Sequence, residues 1–388
     1  MVRLRSILKK KSKPENNNES IIENIDTHKR KASIKKIKAK KHAKSDTDQS
    51  TLHKNRLNIF ETLNKTNYNI QEIVHKWINI YRQNNKLAMT LIIRLFLKAS
   101  SSKYDLKENK IKTENIEKML QKFGGDMEEK PYPHSLNTKE SKIFKFNFDQ
   151  FFQILAGEYH DELLFQGDFF DTFIIWLKYM SQSNIRPFRH ISTVCSLILC
   201  AAFCTIHCDL SRVLESRPKS RKKSLQSSLN ESFLHIESNV KNVKEAIETI
   251  FNEIFVLRYR DVLSEIRILC VVSLNNWIIS YSTIFLKNEY LKYIGWMLND
   301  RISAVRLKAI SSIYKLLAEL DYSKISYFIS RFKNRIIDMC FDVNDDVCSV
   351  ALTVVLLLYT KSVAIPQEKL DAVLKLICAE SQKISRNS

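Results

Sequence analysis

The scarcity of glycine and proline is the feature that most limits what this chain can fold into. Its 388 residues include only five glycines and six prolines, whereas average usage gives roughly 27 and 19. Parallel-sheet nucleotide folds, P-loops and small β-barrels need glycine in tight turns and phosphate-binding loops. None of the five glycines lies in a GxGxxG or GxxxxGK pattern. We therefore predict an all-α protein with short connections between its helices.

Apolar residues recur at helical spacing through most of the chain after residue 57. Their steps of three and four residues are typical of amphipathic helices rather than strands. The pattern predicts helices at about residues 70–81, 87–97, 113–123, 141–160, 168–182, 188–213 and 237–256. Polar stretches predict loops at residues 99–115, 126–140 and 215–230.

The C-terminal third contains a repeat of about 40 residues. Three short segments align at offsets of 39 and 42 residues: 265–269, 304–308 and 346–350. Each follows an acidic residue, Asp261, Asp300 or Asp342, which we expect to favour the start of a helix through the helix dipole. This period is typical of HEAT and armadillo units, which stack into an α-solenoid.

Much of the formal charge of +20 lies at the N-terminus. Residues 1–56 contain 17 Lys and Arg against 6 Asp and Glu, a net charge of +11, and few large apolar residues. This composition predicts a disordered basic tail. Its charged cluster is either a nuclear-import-like signal or an ordinary solvated run. The clustered residues are Lys29, Arg30, Lys31, Lys35, Lys36, Lys40 and Lys41.

A second basic stretch interrupts the helical pattern in a serine-rich segment. It consists of Arg217, Lys219, Arg221, Lys222 and Lys223. Such a loop either contacts phosphate groups or is an ordinary mobile connection, and the sequence favours neither. The positive charge of the whole chain favours nucleic acid or another polyanion as a partner, or simply keeps the protein soluble.

The sequence lacks the motifs of common enzymes and cofactor sites. No HExxH, GxSxG or kinase signature is present, and His190 has no Ser, Asp or Cys partner at a motif spacing. Cys200, Cys204, His207 and Cys208 share one face of a predicted helix, as the ligands of a zinc site would. The apolar residues around them favour a position in the core instead. We predict a non-enzymatic protein without metal or cofactor.

The cysteines and the apolar runs bear on the cellular compartment. The eight cysteines form no CxxC pair and lie mostly in apolar helical pattern, which predicts free thiols in a reducing compartment. No apolar run follows the charged N-terminus, so we expect no signal peptide. Because no stretch of 18 uncharged apolar residues stands out, we also expect no membrane span.

One aromatic segment carries a candidate binding site. Tyr293 and Trp296 are three residues apart, so they are neighbours on a helix, and Lys292 and, further on, Arg331 supply positive charge. A pocket of this kind accepts an aromatic, acidic peptide. The alternative is a Trp296 side chain buried in the seam between repeats.

Several motifs closely resemble those of the cohesin SA/STAG (stromalin) family. Residues 181–190 read SQSNIRPFRH, which is similar to the RPFRH segment of that family. Residues 255–296, which end in YLKYIGW, look like the start of its stromalin domain, and residues 300–336 continue it. Residues 69–97 resemble the N-terminal helices of the family. The similarity runs in order from about residue 57 to 360, so the chain resembles a short member or an N-terminal portion.

The resemblance implies a HEAT-repeat scaffold subunit of cohesin, bound to chromatin in the nucleus and active in sister chromatid cohesion and chromosome segregation. The implied partners are the kleisin, the two coiled-coil ATPase subunits, DNA bound without sequence preference, and regulators with Phe/Tyr-x-Phe motifs. The implied peptide pocket consists of Lys292, Tyr293, Trp296 and Arg331. Beyond the basic stretch at 217–223, the candidate DNA contacts are Arg258, Arg260, Lys287 and Lys292.

The predicted organisation has four parts. They are the basic tail over 1–56, a STAG-type helical domain over 57–255, a stromalin conservative domain over 256–365, and a terminal helix over 366–388. The terminal helix either caps the solenoid or needs a partner. The alternative function is a HEAT-repeat adaptor in transport or assembly, whose basic tail serves only nuclear import.

Overall fold

A computed structural model describes residues 57–66, 68–104, 106, 115–124, 131–216 and 223–375, with the backbone alone for 223–232. The predicted basic tail and its import-like cluster lie outside the described residues. Arg217, Lys219, Arg221 and Lys222 also lie outside them, as does the end of the predicted terminal helix. The described part of the chain is helical and contains no strand.

Fifteen helices, followed by a further helical stretch at residues 367–375, form the described part of the chain. They are α1 (Ile59–Leu63), α2 (Ile70–Gln83), α3 (Asn85–Ala99), α4 (Ile116–Gly124), α5 (Lys139–His160), α6 (Phe169–Gln182), α7 (Arg186–Glu215), α8 (Lys223–Ile250), α9 (Val256–Arg258), α10 (Ser264–Ser280), α11 (Ser282–Phe285), α12 (Asn288–Met297), α13 (Ser303–Glu319), α14 (Tyr322–Asp338) and α15 (Asp345–Thr360). Short 3₁₀ turns lie at Pro133–Ser135 and Met339–Phe341, and π turns at Asp161–Phe165 and Phe251–Phe255.

Polar side chains at the helix starts explain where several helices begin. The side-chain oxygens of Asn69 and Asn84 accept hydrogen bonds from N–H groups in the first turns of α2 and α3. Thr138 does the same for α5, and Asn344 for α15. Each of these caps satisfies a backbone N–H that the first turn of a helix leaves without a helical partner.

The helices stack in chain order into an α-solenoid. The long helix α7 packs against α5, α6, α8 and α10. Beyond it, α10, α13 and α15 pack on one another in one layer, while α12 and α14 pack together in a second layer. Buried apolar side chains form one cluster from Ile59 to Val373. The architecture confirms the all-α solenoid that the repeat predicts.

The predicted helices match the observed ones with small shifts at their ends, except at α8. The loop predicted over residues 215–230 is wrong from Lys223 onward, because α8 begins there. No glycine or proline lies between Pro218 and the end of α8. The serine-rich start of the segment therefore contains no residue that breaks a helix, and the helix extends towards the N-terminus.

Among the described residues, α7 is the one helix long and apolar enough, by length and composition, to cross a membrane. Its apolar stretch is thus longer than the sequence expectation allowed. In the structure 61% of that stretch is buried inside the protein, where α5, α6 and α8 pack against it. The apolar character of α7 is therefore used in the core of the solenoid.

Buried arginine–aspartate pairs link each repeat to the next. Arg267 at the start of α10 donates two hydrogen bonds to Asp300, which precedes α13, both at 2.7 Å. Arg306 in α13 donates in the same way to Asp342, which precedes α15, at 2.7 and 2.6 Å. The exposed fractions of these four side chains lie between 6% and 13%. Two-pronged pairs of this kind are strong and directional, so they set the register of neighbouring repeats.

The row of pairs extends one unit towards the N-terminus and stops at the last repeat helix. Arg189 Nε donates to Asp261 at 3.3 Å, one unit before Arg267. On the C-terminal side, Cys348 occupies the equivalent position in the repeat, and its thiol donates to the carbonyl oxygen of Asp342 at 2.8 Å. Within the described residues, the row of pairs therefore begins at Arg189 and ends at Asp342.

The acids that precede the repeat helices have a role beyond the predicted helix-dipole effect. Each accepts a hydrogen bond at 2.9–3.0 Å from the N–H of the residue two positions further on: Leu263, Ile302 and Asn344. Burial works to raise the pKa of Asp300, but hydrogen bonds from Arg267 and from the backbone leave that pKa below its usual value. The hydrogen bond from Arg306 lowers the pKa of Asp342. Both acids are therefore ionised at neutral pH.

Candidate functional site

Three aromatic side chains from two elements form a cluster at the surface of the solenoid. Tyr293 and Trp296 on α12 lie edge to face, with their ring centroids 5.2 Å apart. Tyr259, which follows α9, lies 4.8 Å from Tyr293 and 6.2 Å from Trp296 by the same measure. Tyr293 is buried, whereas Trp296 is 38% exposed. Trp296 is thus a surface residue with one side held against other rings.

Positive charge flanks these rings. Lys292 Nζ is 5.2 Å from the ring centroid of Tyr293 and 5.4 Å from that of Trp296. An ammonium group over an aromatic face is stabilised by about 0.5–1 kcal/mol at exposed sites. Burial raises the pKa of the Tyr293 hydroxyl, and the exposed Arg260 opposes that rise. We call Tyr259, Lys292, Tyr293 and Trp296 the aromatic–cation cluster.

Arg331 joins the cluster indirectly, through Phe332. Its guanidinium carbon lies 5.6 Å from the ring centroid of Phe332, and its side chain is exposed. The Phe332 ring lies against Gly295, where a Cβ atom would overlap the ring. The close approach of α14 to α12 at this glycine therefore places Arg331 on the helix next to the cluster.

Replacing Gly295 by alanine is expected to destabilise the protein by about 1–3 kcal/mol, because the new methyl group overlaps the Phe332 ring. Urea unfolding followed by circular dichroism measures the change. Gly157→Ala is the matched control, since a Cβ atom there meets nothing within 4 Å. The control should keep or raise the stability, by up to about 1 kcal/mol. Equal losses in both variants would contradict the close α12–α14 contact.

The candidate DNA contacts differ in how much of their charge faces solvent. Arg260 and Lys287 are exposed, and Lys287 Nζ lies 3.7 Å from Glu289. Arg258 is directed inward: it donates to Asp261 at 2.5 Å, and its side chain is only 15% exposed. Because this charge is paired inside the protein, we remove Arg258 from the candidate phosphate contacts. The side chain of Lys223 is not among the described ones.

The cysteines and histidines of α7 lie in the core or at its edge. Cys200 and Cys204 are buried, while His207 and Cys208 are partly buried. His190 Nδ1 lies 2.8 Å from the Tyr132 hydroxyl, and burial lowers the pKa of His190 to about 4. In the described ranges, no three His, Cys, Asp or Glu residues come together in a way that could hold a metal ion.

Two members of the site were not predicted, because other elements supply them. Tyr259 precedes α10, and Phe332 lies on α14, so neither shares the helical spacing that relates Tyr293 to Trp296. The sequence did contain a signal for the contact between Phe332 and Gly295. Gly295 lies inside a helix, where a glycine often marks the close approach of another element.

Two family models match the chain, in the order expected from the resemblance. The "STAG domain" model matches residues 130–246, and the "Stromalin conservative domain" model matches residues 260–333. The second range contains Lys292, Trp296 and Arg331, and Tyr259 lies just before it.

Similar proteins carry the same family name. The chain is 29% identical over 344 residues to "Cohesin subunit SA-1" of Xenopus laevis, which covers 84% of this chain and 27% of that protein. It is 30% identical over 316 residues to "Cohesin subunit SA-3" of Mus musculus, and this alignment covers 77% of this chain and 25% of that protein. The solved structure "Cohesin subunit Scc3 from Z. rouxii" has the same fold, with a TM-score of 0.73, 23% identity, and 83% of this chain and 39% of that one covered. The chain spans about a quarter of the length of the curated relatives.

The fold, the order of the matched domains and the similar proteins all indicate the same family. Both matched domains lie in order on one α-solenoid, and the relatives named above align with most of this chain. The solenoid of a cohesin Scc3 subunit superposes on 83% of this chain. The chain therefore belongs to the cohesin SA/STAG (stromalin) family.

Proposed function

We propose that this chain is a non-enzymatic scaffold subunit of cohesin that acts in sister chromatid cohesion. The relatives support the proposal, because SA-1 and SA-3 are named cohesin subunits and an Arabidopsis thaliana relative, 28% identical, is "Sister-chromatid cohesion protein 3". The observation that carries the proposal is the aromatic–cation cluster in the stromalin domain. Its rings and charges suit the recognition of another protein.

The aromatic–cation cluster binds regulator segments with a Phe/Tyr-x-Phe motif in this proposal. One aromatic ring of the segment packs on the exposed side of Trp296, where ring-on-ring contacts add to the burial of apolar surface. Lys292, Arg260 and Arg331 attract acidic residues of the segment. Lys292 and Tyr293 also border a cavity of about 540 Å³, which gives a second aromatic side chain room to enter.

DNA binding is the second activity that we propose for this scaffold. Of the total charge of +20, +9 lies beyond residue 56. Arg260, Lys287 and Lys292 are three of the basic residues at the surface of the stromalin domain, and the basic tail adds +11. Lysine and arginine contacts to phosphate give affinity without sequence preference.

Binding of duplex DNA is expected to weaken steeply as salt rises. The logarithm of the binding constant falls by about 0.9 per phosphate contact for each tenfold rise in salt. Fluorescence anisotropy at several salt concentrations gives this slope for two unrelated DNA sequences. Deletion of residues 1–56 should lower the slope, and Lys287→Ala should lower it by about 1. A sequence-specific complex with little salt dependence would contradict the proposed phosphate contacts. An unchanged slope after the deletion would show that residues 1–56 make no contact with DNA phosphates.

Membership of the cohesin complex is tested by affinity purification of the tagged chain from the source cell. The kleisin and the two coiled-coil ATPase subunits are expected to co-purify, and the chain is expected in the nucleus on chromatin. Removal of the basic cluster between Lys29 and Lys41 should reduce nuclear import. Purification with transport or assembly proteins in place of cohesin subunits would favour the HEAT-repeat adaptor instead.

A further inference from the structure

The connection between α9 and α10 brings two side chains to the proposed peptide site. It consists of residues 259–263. The Tyr259 ring lies against Tyr293 and Trp296, and the exposed Arg260 acts on the hydroxyl group of Tyr293. A connection lacks the regular ladder of backbone hydrogen bonds that fixes a helix. The position of Tyr259 therefore depends on what anchors this short segment to the rest of the protein.

Asp261 is the anchor of this connection. It is only 5% exposed, whereas the residues on either side of it are exposed. Its Oδ2 atom accepts hydrogen bonds from Arg258 Nη1 at 2.5 Å and from Arg189 Nε at 3.3 Å. Its Oδ1 atom accepts a third hydrogen bond, from the N–H of Leu263 at 2.9 Å. The carboxylate is therefore bound from three sides, by two charged groups and one backbone group.

These bonds fasten the connection to helices on both sides. Arg189 lies in the first turn of α7, and its Nη1 atom also donates to the carbonyl oxygens of Ser183 and Asn184, at 3.1 and 2.9 Å. Arg267 of α10 donates to the carbonyl oxygen of Asp261 at 2.7 Å. Asp261 thus joins the region that matches the STAG model to the region that matches the stromalin model.

Four consecutive residues, 258–261, divide into an inward and an outward pair. Arg258 and Asp261 point inward and bond to each other, while Tyr259 and Arg260 reach the surface. Within the described structure, Nε of Arg258 is buried without a hydrogen-bond partner, so the bond to Asp261 is what compensates this guanidinium group. Without the carboxylate, two guanidinium groups would be left largely buried and uncompensated. The connection would have to shift to expose them to water, and Tyr259 would move with it.

We propose that Asp261 is a positioning residue of the peptide site: through Arg189 and Arg258 it holds the Tyr259 ring beside Trp296. The inference rests on the proposed peptide-binding function, but Asp261 itself is buried and makes no contact with the peptide. A binding site needs supporting residues that lock the side chains in contact with the ligand. Support of this kind strengthens binding, because less of the site has to be ordered when the peptide binds.

Peptide binding by the full chain is the first test. Asp261→Asn keeps the size of the side chain, but its NH₂ group cannot accept a hydrogen bond. It is expected to weaken binding of a labelled acidic Phe-x-Phe peptide at least about fivefold. Asp342→Asn is the matched control, because Asp342 is equally buried and arginine-paired at the same position of a later repeat, away from the cluster. Both variants should lower the urea midpoint, but the control should bind within about twofold of wild type.

Acrylamide quenching of tryptophan fluorescence is a second test that needs no peptide. Trp296 is 38% exposed, whereas the other three tryptophans are at most 2% exposed: Trp77, Trp176 and Trp277. Quenching therefore reports on Trp296. Asp261→Asn is expected to raise the quenching constant, because Tyr259 no longer covers one side of the indole, and Asp342→Asn to leave it unchanged. Tyr259→Ala should also raise it, and adding Asp261→Asn to Tyr259→Ala should raise it no further.

The two tests separate the positioning role from the peptide function. Absence of peptide binding by wild type would contradict the proposed function, and quenching would still decide the role of Asp261. Arg258→Gln is a second variant if Asp261→Asn does not fold, since it removes one arginine and leaves Arg189 in place; both readouts should change in the same direction, but less. Unchanged quenching in the folded variants, or equal changes in Asp261→Asn and Asp342→Asn, would overturn the proposal.

Discussion

Replacement of Arg267 by alanine is expected to lower the free energy of unfolding by about 3–5 kcal/mol. The guanidinium group makes two hydrogen bonds to Asp300 and further ones to the carbonyl oxygens of Asp261 and Val262. Without it, the buried carboxyl group of Asp300 loses its main partner, and two carbonyl groups lose a donor. Removing one member of a buried pair destabilises the protein by more than the intact pair stabilises it, because the remaining group is left buried with neither its partner nor water to compensate its charge.

Urea unfolding of Arg267→Ala and of the matched control Arg301→Ala measures this effect. Arg301 is also an arginine at the start of a repeat, but its side chain is exposed. Its replacement should change the stability by no more than about 0.5 kcal/mol. Arg306→Ala removes the equivalent group of the next repeat and should resemble Arg267→Ala. A loss at Arg267 as small as that at Arg301 would contradict the role of the buried pairs.

Most helices could be predicted because each one shows its own apolar face in consecutive residues. The arginine–aspartate pairs could not be predicted in the same way, because their members lie 33 and 36 residues apart. The acids suggested a helix-dipole effect, which needs only local sequence. The missed signal was that Arg267 and Arg306 occupy the same position in two copies of the repeat. The start of α8 was missed because serine and lysine suit a loop as well as an exposed helix.

The candidate site was predictable only as far as one helix extends. Lys292, Tyr293 and Trp296 share a face of α12, so their spacing was sufficient. Tyr259 and Phe332 reach the site through tertiary packing. Arg258 was assigned to phosphate on charge alone, and its burial against Asp261 could not be read from its neighbours.

Replacement of Trp296 by alanine is expected to weaken binding of a Phe-x-Phe peptide by at least about 30-fold. Trp296 is held between Tyr259, Tyr293 and Lys292, yet 38% of its surface is exposed. Rigid aromatic side chains with one free face dominate the energy of many interfaces. Because much of the indole faces solvent, the variant should stay folded. Lys292→Ala should weaken binding less than Trp296→Ala does. The effect of Lys292→Ala should be larger at low salt, because the lost interaction is an electrostatic attraction for acidic residues of the peptide.

The aromatic–cation cluster is tested most directly by titrating the full chain and its Trp296→Ala variant into a labelled acidic Phe-x-Phe peptide. Tyr327→Ala is the matched control, because Tyr327 is an aromatic residue on α14 that is 66% exposed and lies outside the cluster. Wild type and Tyr327→Ala are expected to bind equally, and Trp296→Ala to lose at least about 30-fold in affinity with an unchanged urea midpoint. Equal binding by all three proteins, or unfolding of Trp296→Ala, would contradict a peptide-binding role for the cluster.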